Sequence, residues 1–344
     1  MNDRYQYDLA RVTVLRWFGI RADSTGNTWS PRDSALFVAA ILSPLVVAGL
    51  HQTFWHPTAQ GRGAYFFWLG YYVGTDLITV LGQWVGCRAF HRALPSVDRM
   101  LTPHGAWEVH CWIERGMRPW RQQRWMLVGA AFSCATVWAL STAHQVTDHM
   151  SIDVASYLTV VMTGAAGANS LFWLVRAARL ARIVTKPGNL RLVWSAPART
   201  PGIEALSRWH RSITLAVVGG AAVAFAPWVW LAPYVGHEGV YLATKWVVAG
   251  LIIVAIVLFG FYPQWRLSQA VMAKRTAVLH VLSHRLPRHL PGGRVLTEDE
   301  AKDVDLYEKV SQSPSSVIDG QTVAATLLSV GGVLVPLAVA ALAR

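Results

Sequence analysis

The chain has 344 residues, of which 53% are hydrophobic and only 15% charged, and its mean hydropathy is +0.32. Soluble domains carry about 25% charged residues, so this composition argues against one; it also excludes a disordered chain, a fibre and, with three cysteines, a disulfide-built scaffold. A net charge of +12 on a soluble protein would suggest nucleic acid, but the placement of the charges and the seventeen tryptophans point to a membrane instead.

The sequence predicts an all-α fold, a polytopic integral membrane helical bundle with six or seven transmembrane helices and a cytoplasmic N-terminus. Residues 1–33 read as a cytoplasmic or interfacial N-terminal segment, with a short amphipathic helix over 5–21 lying on the inner leaflet. Residues 34–262 form a six-helix transmembrane domain built on apolar stretches at 34–50, 64–86, 125–143, 154–175, 212–232 and 240–262. Each is close to the ~20 residues that cross a hydrocarbon core about 30 Å thick. Residues 263–321 follow as a cytoplasmic helical hairpin, in which Thr297, Glu298, Asp299 and Glu300 spell a capping box at the start of an acidic helix. Residues 322–344 form a seventh transmembrane or re-entrant helix, and Gly331, Gly332 and Pro336 leave both forms open.

Orientation follows from the basic residues. Residues 1–33, the loops 87–124 and 176–211, and the 263–321 segment hold 28 of the 31 Lys and Arg. The connections of opposite parity hold only Arg62. The positive-inside rule therefore puts the basic segments in the cytoplasm, facing anionic headgroups of the lipid bilayer. That bilayer, rather than nucleic acid, is the partner the charge implies.

Ionisable groups within apolar stretches are rare here: Asp76 lies in the second and Lys245 in the sixth. An ionised carboxylate at mid-membrane depth costs several kcal/mol unless it faces protein or water. Tyr72, Asp76, Thr79 and Gln83 follow one another at spacings of four, three and four, which places them on one helix face. Such a face reads as the lining of a water-filled path or relay, or as a hydrogen-bond anchor to a neighbouring helix. The fourth stretch offers a matching surface in Thr159, Thr163, Asn169 and Ser170, beside a run of small residues from 164 to 168 that admits a close neighbour.

Five of the twelve histidines fall in the short outer connections: His51, His56, His144, His149 and His237, with Asp148 and Glu238 beside two of them. Imidazole and carboxylate together suit Zn²⁺ or another borderline metal. The alternative is that interfacial loops poor in Arg draw on His instead. No motif calls for any other cofactor: the chain has no phosphate-binding glycine loop, no nucleophile elbow and no Cys-x-x-Cys. Cys111 and His110 are adjacent, hence about 100° apart on a helix and poorly placed to act as a pair.

Four functions fit these features. The first is a homo-oligomeric membrane channel or pore for small ions, gated from the cytoplasmic side. The second is a membrane-anchored signalling or assembly protein acting through its cytoplasmic helices. A proton- or cation-coupled secondary transporter using Asp76 and a membrane-embedded metal-dependent enzyme complete the set. The absence of a catalytic motif disfavours the enzyme.

Overall fold

The computed structural model describes residues 62–116, 119–142, 154–230, 249–286 and 296–318, apart from 252 and 315, with isolated positions at 42–50, 246 and 323–331. These residues are mostly helical. The N-terminal segment 1–33, most of the first and seventh apolar stretches, Lys245 and all the outer histidines lie outside them.

Helices α1 (Arg62–Met100), α2 (Pro103–Gly116), α3 (Pro119–Thr142), α4 (Val154–Val184) and α5 (Pro201–Trp230) are followed by α6 (Tyr262–Arg285) and α7 (Glu298–Gln312). Three of them open on proline, whose missing N–H is no loss in a first turn and whose fixed φ suits one. A π segment, Ile256–Phe261, runs directly into α6, and Pro263 stands in the first turn beyond it. At α7 the capping box forms: Thr297 Oγ1 accepts from the Glu300 amide at 3.3 Å, and the Thr297 amide donates to Glu300 Oε2 at 2.9 Å.

Among the described residues two helical runs, Tyr157–Val184 and Ala249–Arg285, are long and apolar enough to cross a membrane. Less than a third of either apolar window is buried within the chain, whereas a soluble core helix would be mostly covered. Helix α3 likewise turns large side chains outward; Leu127, Val128 and Phe132 are 61%, 67% and 72% exposed.

Helices α1 and α4 are longer than the ~20 residues that cross a hydrocarbon core. At 1.5 Å per residue the 39 residues of α1 reach about 58 Å, and the 31 of α4 about 46 Å. Their surplus turns carry the basic sequence and build a second layer. There Val97 and Met100 of α1 pack with Val109, Trp112 and Ile113 of α2, Leu180 and Val184 of α4, Ile203 and Leu206 of α5, and Leu267 and Val271 of α6. Segments that read separately as loops of sixty residues or fewer thus share one apolar core. Helix α2, whose apolar side could equally have faced lipid, turns Val109, Trp112 and Ile113 into it and leaves Trp107 exposed.

A tight corner fixes this layer. Gly188 adopts φ +86°, a left-handed conformation natural only to glycine, and turns the chain after α4. Asn189 is then buried against the α1–α2 junction: Thr102 N donates to Asn189 O at 2.9 Å, and Arg191 N to Met100 O at 2.7 Å. Arg275 of α6 bonds the carbonyls of Val310 and Ser311 and clamps the end of α7.

Helices α3 and α4 make the closest approach. A Cβ on Gly164 would run into Ser133 Oγ and the Gly129 carbonyl, and one on Gly129 would strike the Gly164 carbonyl. Gly167, three residues on, has open space around it. Gly164→Ala is therefore expected to destabilise by about 1–3 kcal/mol through overpacking. Gly167→Ala should stay within about 0.5 kcal/mol of wild type or gain slightly. Thermal unfolding of the two purified variants in detergent checks this, and equal stabilities would contradict the close approach.

Candidate functional site

Helices α1 and α4 run parallel, in a register set by their polar residues. Thr163 Oγ1 donates to Asp76 Oδ2 at 3.2 Å, and seven residues along each helix Gln83 Nε2 donates to Ser170 Oγ at 2.7 Å. Asp76 is only 3% exposed although it belongs to a helix stretch otherwise apolar. Its one side-chain bond among the described residues leaves most of the carboxylate's acceptor capacity unused.

The inner part of this seam is a chain of amides. Gln122 Nε2 donates to Asn169 Oδ1 at 2.6 Å, and Asn169 Nδ2 donates to Gln83 Oε1 at 2.6 Å. Gln83 Nε2 completes the run at Ser170 Oγ, with the Ala166 carbonyl at 3.3 Å as a second acceptor. Three helices are joined by one continuous donor–acceptor series. In an apolar surround such a series is stable because every member is satisfied; a half-satisfied one would be costly.

Seven residues of helix separate Asp76 from Gln83, or about 10 Å. The seam thus has two levels, a lightly bonded carboxylate–hydroxyl pair and a closed amide chain. Thr159 is buried one turn beyond Thr163, on the Asp76 side. Tyr72 is half-buried with its ring edge-on to Tyr71, centroids 5.4 Å apart. Thr79 is half-buried between the two levels and makes no side-chain hydrogen bond among the described residues. Oxygen donors of this kind suit a proton or a small hard cation.

The two predicted polar faces, one from each helix, therefore meet. The outer His51, His56, His144, Asp148, His149, His237 and Glu238 lie outside the described residues, and among those described no group of three or more His, Cys, Asp or Glu could hold a metal ion.

Sequence reasoning missed Gln122, which reads as part of the basic loop 87–124. A signal was present: Gln122, Met126, Gly129 and Ser133 repeat the four, three, four spacing of the α1 face. It also missed His210 and Gln264. Both are buried, and their side-chain nitrogens and oxygen lack partners among the described residues. The bond from Thr214 Oγ1 to Gly260 O at 3.3 Å places them at matching heights across α5 and α6.

A second polar group occupies the basic layer. Glu108 accepts from Lys186 and, at 2.8 Å, from Asn189 Nδ2, with His104 Nε2 at 3.4 Å. These donors, the Lys186 bond above all, hold its carboxyl below the usual carboxylate range. Asp98 is pushed the other way by burial, against the opposing pull of His110 at 3.9 Å. The Glu108 group ties α2 to the turn after α4, the Asp98–His110 pair ties α1 to α2, and both read as architecture.

Compared with known proteins, the chain matches no family model, no curated protein and no solved structure. Function must be argued from the site itself.

The amide chain predicts a graded response. Asn169→Leu, which strands partners on two helices, should cost more than Gln122→Leu, within the roughly 0.6–2 kcal/mol typical of interhelical hydrogen bonds in membranes. The Gln122→Leu/Asn169→Leu double variant should lose less than the sum of the two. Unfolding in mixed detergent micelles measures all three, and simple additivity would show that the amides are not coupled.

Proposed function

We propose that the chain is a multi-pass membrane transport protein that moves a proton or small cation along the α1–α4 seam, with Asp76 as the group that takes up and releases it. The supporting observation is a carboxylate buried in an otherwise apolar helix stretch and held there by one hydroxyl. A purely structural anchor at that depth would have its oxygens fully engaged. Tyr72, Thr79, Gln83, Thr159, Thr163, Asn169 and Ser170 line or close the same path. These groups converge inside one chain, which favours a route through each subunit over a pore on the axis of a homo-oligomer. In either arrangement the basic ends of the helices face the cytoplasm, where gating would occur.

A signalling or assembly role is the second reading, favoured by the packed basic layer. Helix α7, clamped there by Arg275, keeps Glu298 and Asp299 exposed at its start, where Lys302 of the same helix pairs with both.

Two measurements test the transport reading. Asp76→Asn keeps size and hydrogen-bonding reach while removing the charge. The variant should fold as well as wild type but lose flux in proteoliposomes by about tenfold or more, equivalent to roughly 1.4 kcal/mol at the limiting barrier. Its residual flux should no longer follow pH. Unchanged flux in a stable Asp76→Asn protein overturns the proposal, and absence of flux from wild type under several gradients shifts the weight to the second reading.

Orientation is tested separately, in a chain whose native cysteines have been replaced. A cysteine at Gln145 should react with an impermeant thiol reagent from outside, and one at the exposed Arg191 only after the membrane is opened. The reverse pattern would invert the topology.

A further inference from the structure

The molecule carries a concentration of positive charge that the transport path does not use. It lies where the start of α3 meets the basic half of α4. Trp125 and Phe172 pack edge-on with centroids 6.3 Å apart. The helices are antiparallel, so one turn further on Arg121 stands opposite Arg176. The charges of Arg179 and Arg121 both bear on Arg176. Arg124 lies over the Trp120 ring at 4.4 Å, Arg121 reaches the same ring at 5.4 Å, and Arg176 lies over Phe172 at 5.2 Å.

Among the described residues no carboxylate forms a salt bridge with these charges. Helices α3 and α4 contain no Asp or Glu. Of the acidic residues on neighbouring α1 and α2, Asp76 accepts from Thr163, Asp98 faces His110, Glu108 is taken by Lys186 and Asn189, and Glu114 forms no salt bridge with these arginines among the described residues. Among the described residues none of Arg121, Arg124, Arg176 and Arg179 forms a salt bridge. Four guanidiniums held this close repel one another, and the unpaired N–H groups of the first α3 turn add positive potential on the same side. Aromatic faces preorganise three of the four, leaving their N–H forks free for a bidentate acceptor.

We propose that this cluster binds the phosphodiester headgroup of an anionic phospholipid from the cytoplasmic leaflet. Arginine forks match phosphate oxygens in geometry as well as charge. The exposed Leu127, Val128 and Phe132 continue up α3 from the cluster and offer an apolar track for the acyl chains. Trp120 and Trp125, both partly exposed, stand at the level where interfacial aromatics gather. A soluble phosphate would satisfy the arginines but leave that track uncovered. The inference rests on the membrane reading of the chain and not on the transport path, so loss of flux in Asp76→Asn bears on one and lipid binding on the other.

The full-length protein is titrated in neutral detergent with phosphatidylglycerol, with phosphatidylcholine, and separately with inorganic phosphate, and thermal stability and bound lipid are followed, the latter by native mass spectrometry. Phosphatidylglycerol should raise the melting temperature and remain bound, and the other two should do neither. Arg121→Gln/Arg176→Gln should weaken that binding about thirtyfold, and Arg124→Gln alone about fivefold, at one interfacial charge contact per arginine. The single variant keeps the test decisive if the double variant folds poorly. Arg191→Gln/Arg285→Gln, with the same change in net charge at exposed positions elsewhere, should bind as wild type does. Equal losses in the two double variants, or undiminished binding in Arg124→Gln, would overturn the site. Stabilisation by inorganic phosphate to the same extent would show that the cluster holds a free anion and would overturn the lipid assignment.

Discussion

A primary amide buried among apolar side chains must have both its N–H and its C=O engaged, and Asn169 meets that requirement across three helices. It accepts from Gln122 of α3 and donates to Gln83 of α1. Much of the bundle follows from this one side chain. It sets the parallel register in which Asp76 meets Thr163. It also sets the antiparallel register in which Gly164 reaches Gly129 and Arg176 stands opposite Arg121. Hydrophobic burial cannot specify such registers inside a membrane, because lipid tails are as apolar as leucine. Hydrogen bonds and close glycine contacts must do it, and α4 carries both on adjoining faces.

The second constraint is length. Helix α1, 39 residues long, delivers its last turns, with α4 and α5, into a common layer. Those turns bear many of the chain's arginines, yet their inward faces hold Val97, Leu180 and Leu206, which lose nearly all contact with solvent. One stretch of sequence therefore does two things: it carries the charges outward, and its apolar residues form a buried core. The Pro187, Gly188 and Asn189 turn then closes the layer by returning the chain across the α1–α2 junction.

The helical character of the chain was legible because apolar stretches of about twenty residues leave few alternatives. The polar face of α1 was legible for a similar reason: four polar residues at helical spacing stand out against an apolar background. Gln122 stood in a different background. Flanked by Arg121, Gln123 and Arg124, it looked like one more solvated residue, and only its spacing to Gly129 and Ser133 set it apart. The shared core of the basic layer was harder still. Its residues come from five helices separated by long stretches of chain, and no local period records which apolar faces will meet. Hydropathy likewise could not tell whether Trp112 of α2 would face lipid or protein, since either would take it.

The two levels of the seam differ in how tightly they are closed, and that difference bears on how anything could pass. At the outer level on the proposed topology, Asp76 keeps acceptor capacity and can bind a proton or cation without surrendering a partner. At the inner level every amide group is already paired, so a passing ion gains a ligand only by breaking an existing bond. Interhelical bonds of this kind are worth about 0.6–2 kcal/mol each, enough to keep the seam closed at rest and little enough for thermal motion to exchange. An ion at Asp76 would sit about two helical turns from Gln83, too far to displace its bonds directly. Coupling between the levels must then travel through the rigid α1–α4 pair, by a small shift of one helix along the other. His210 and Gln264, which lack side-chain partners among the described residues and lie beside the π segment that interrupts the approach to α6, mark the neighbouring interface as less tightly specified. On the proposed transport reading, such a shift would meet less resistance toward α5 and α6 than against the tight Gly129–Gly164 contact.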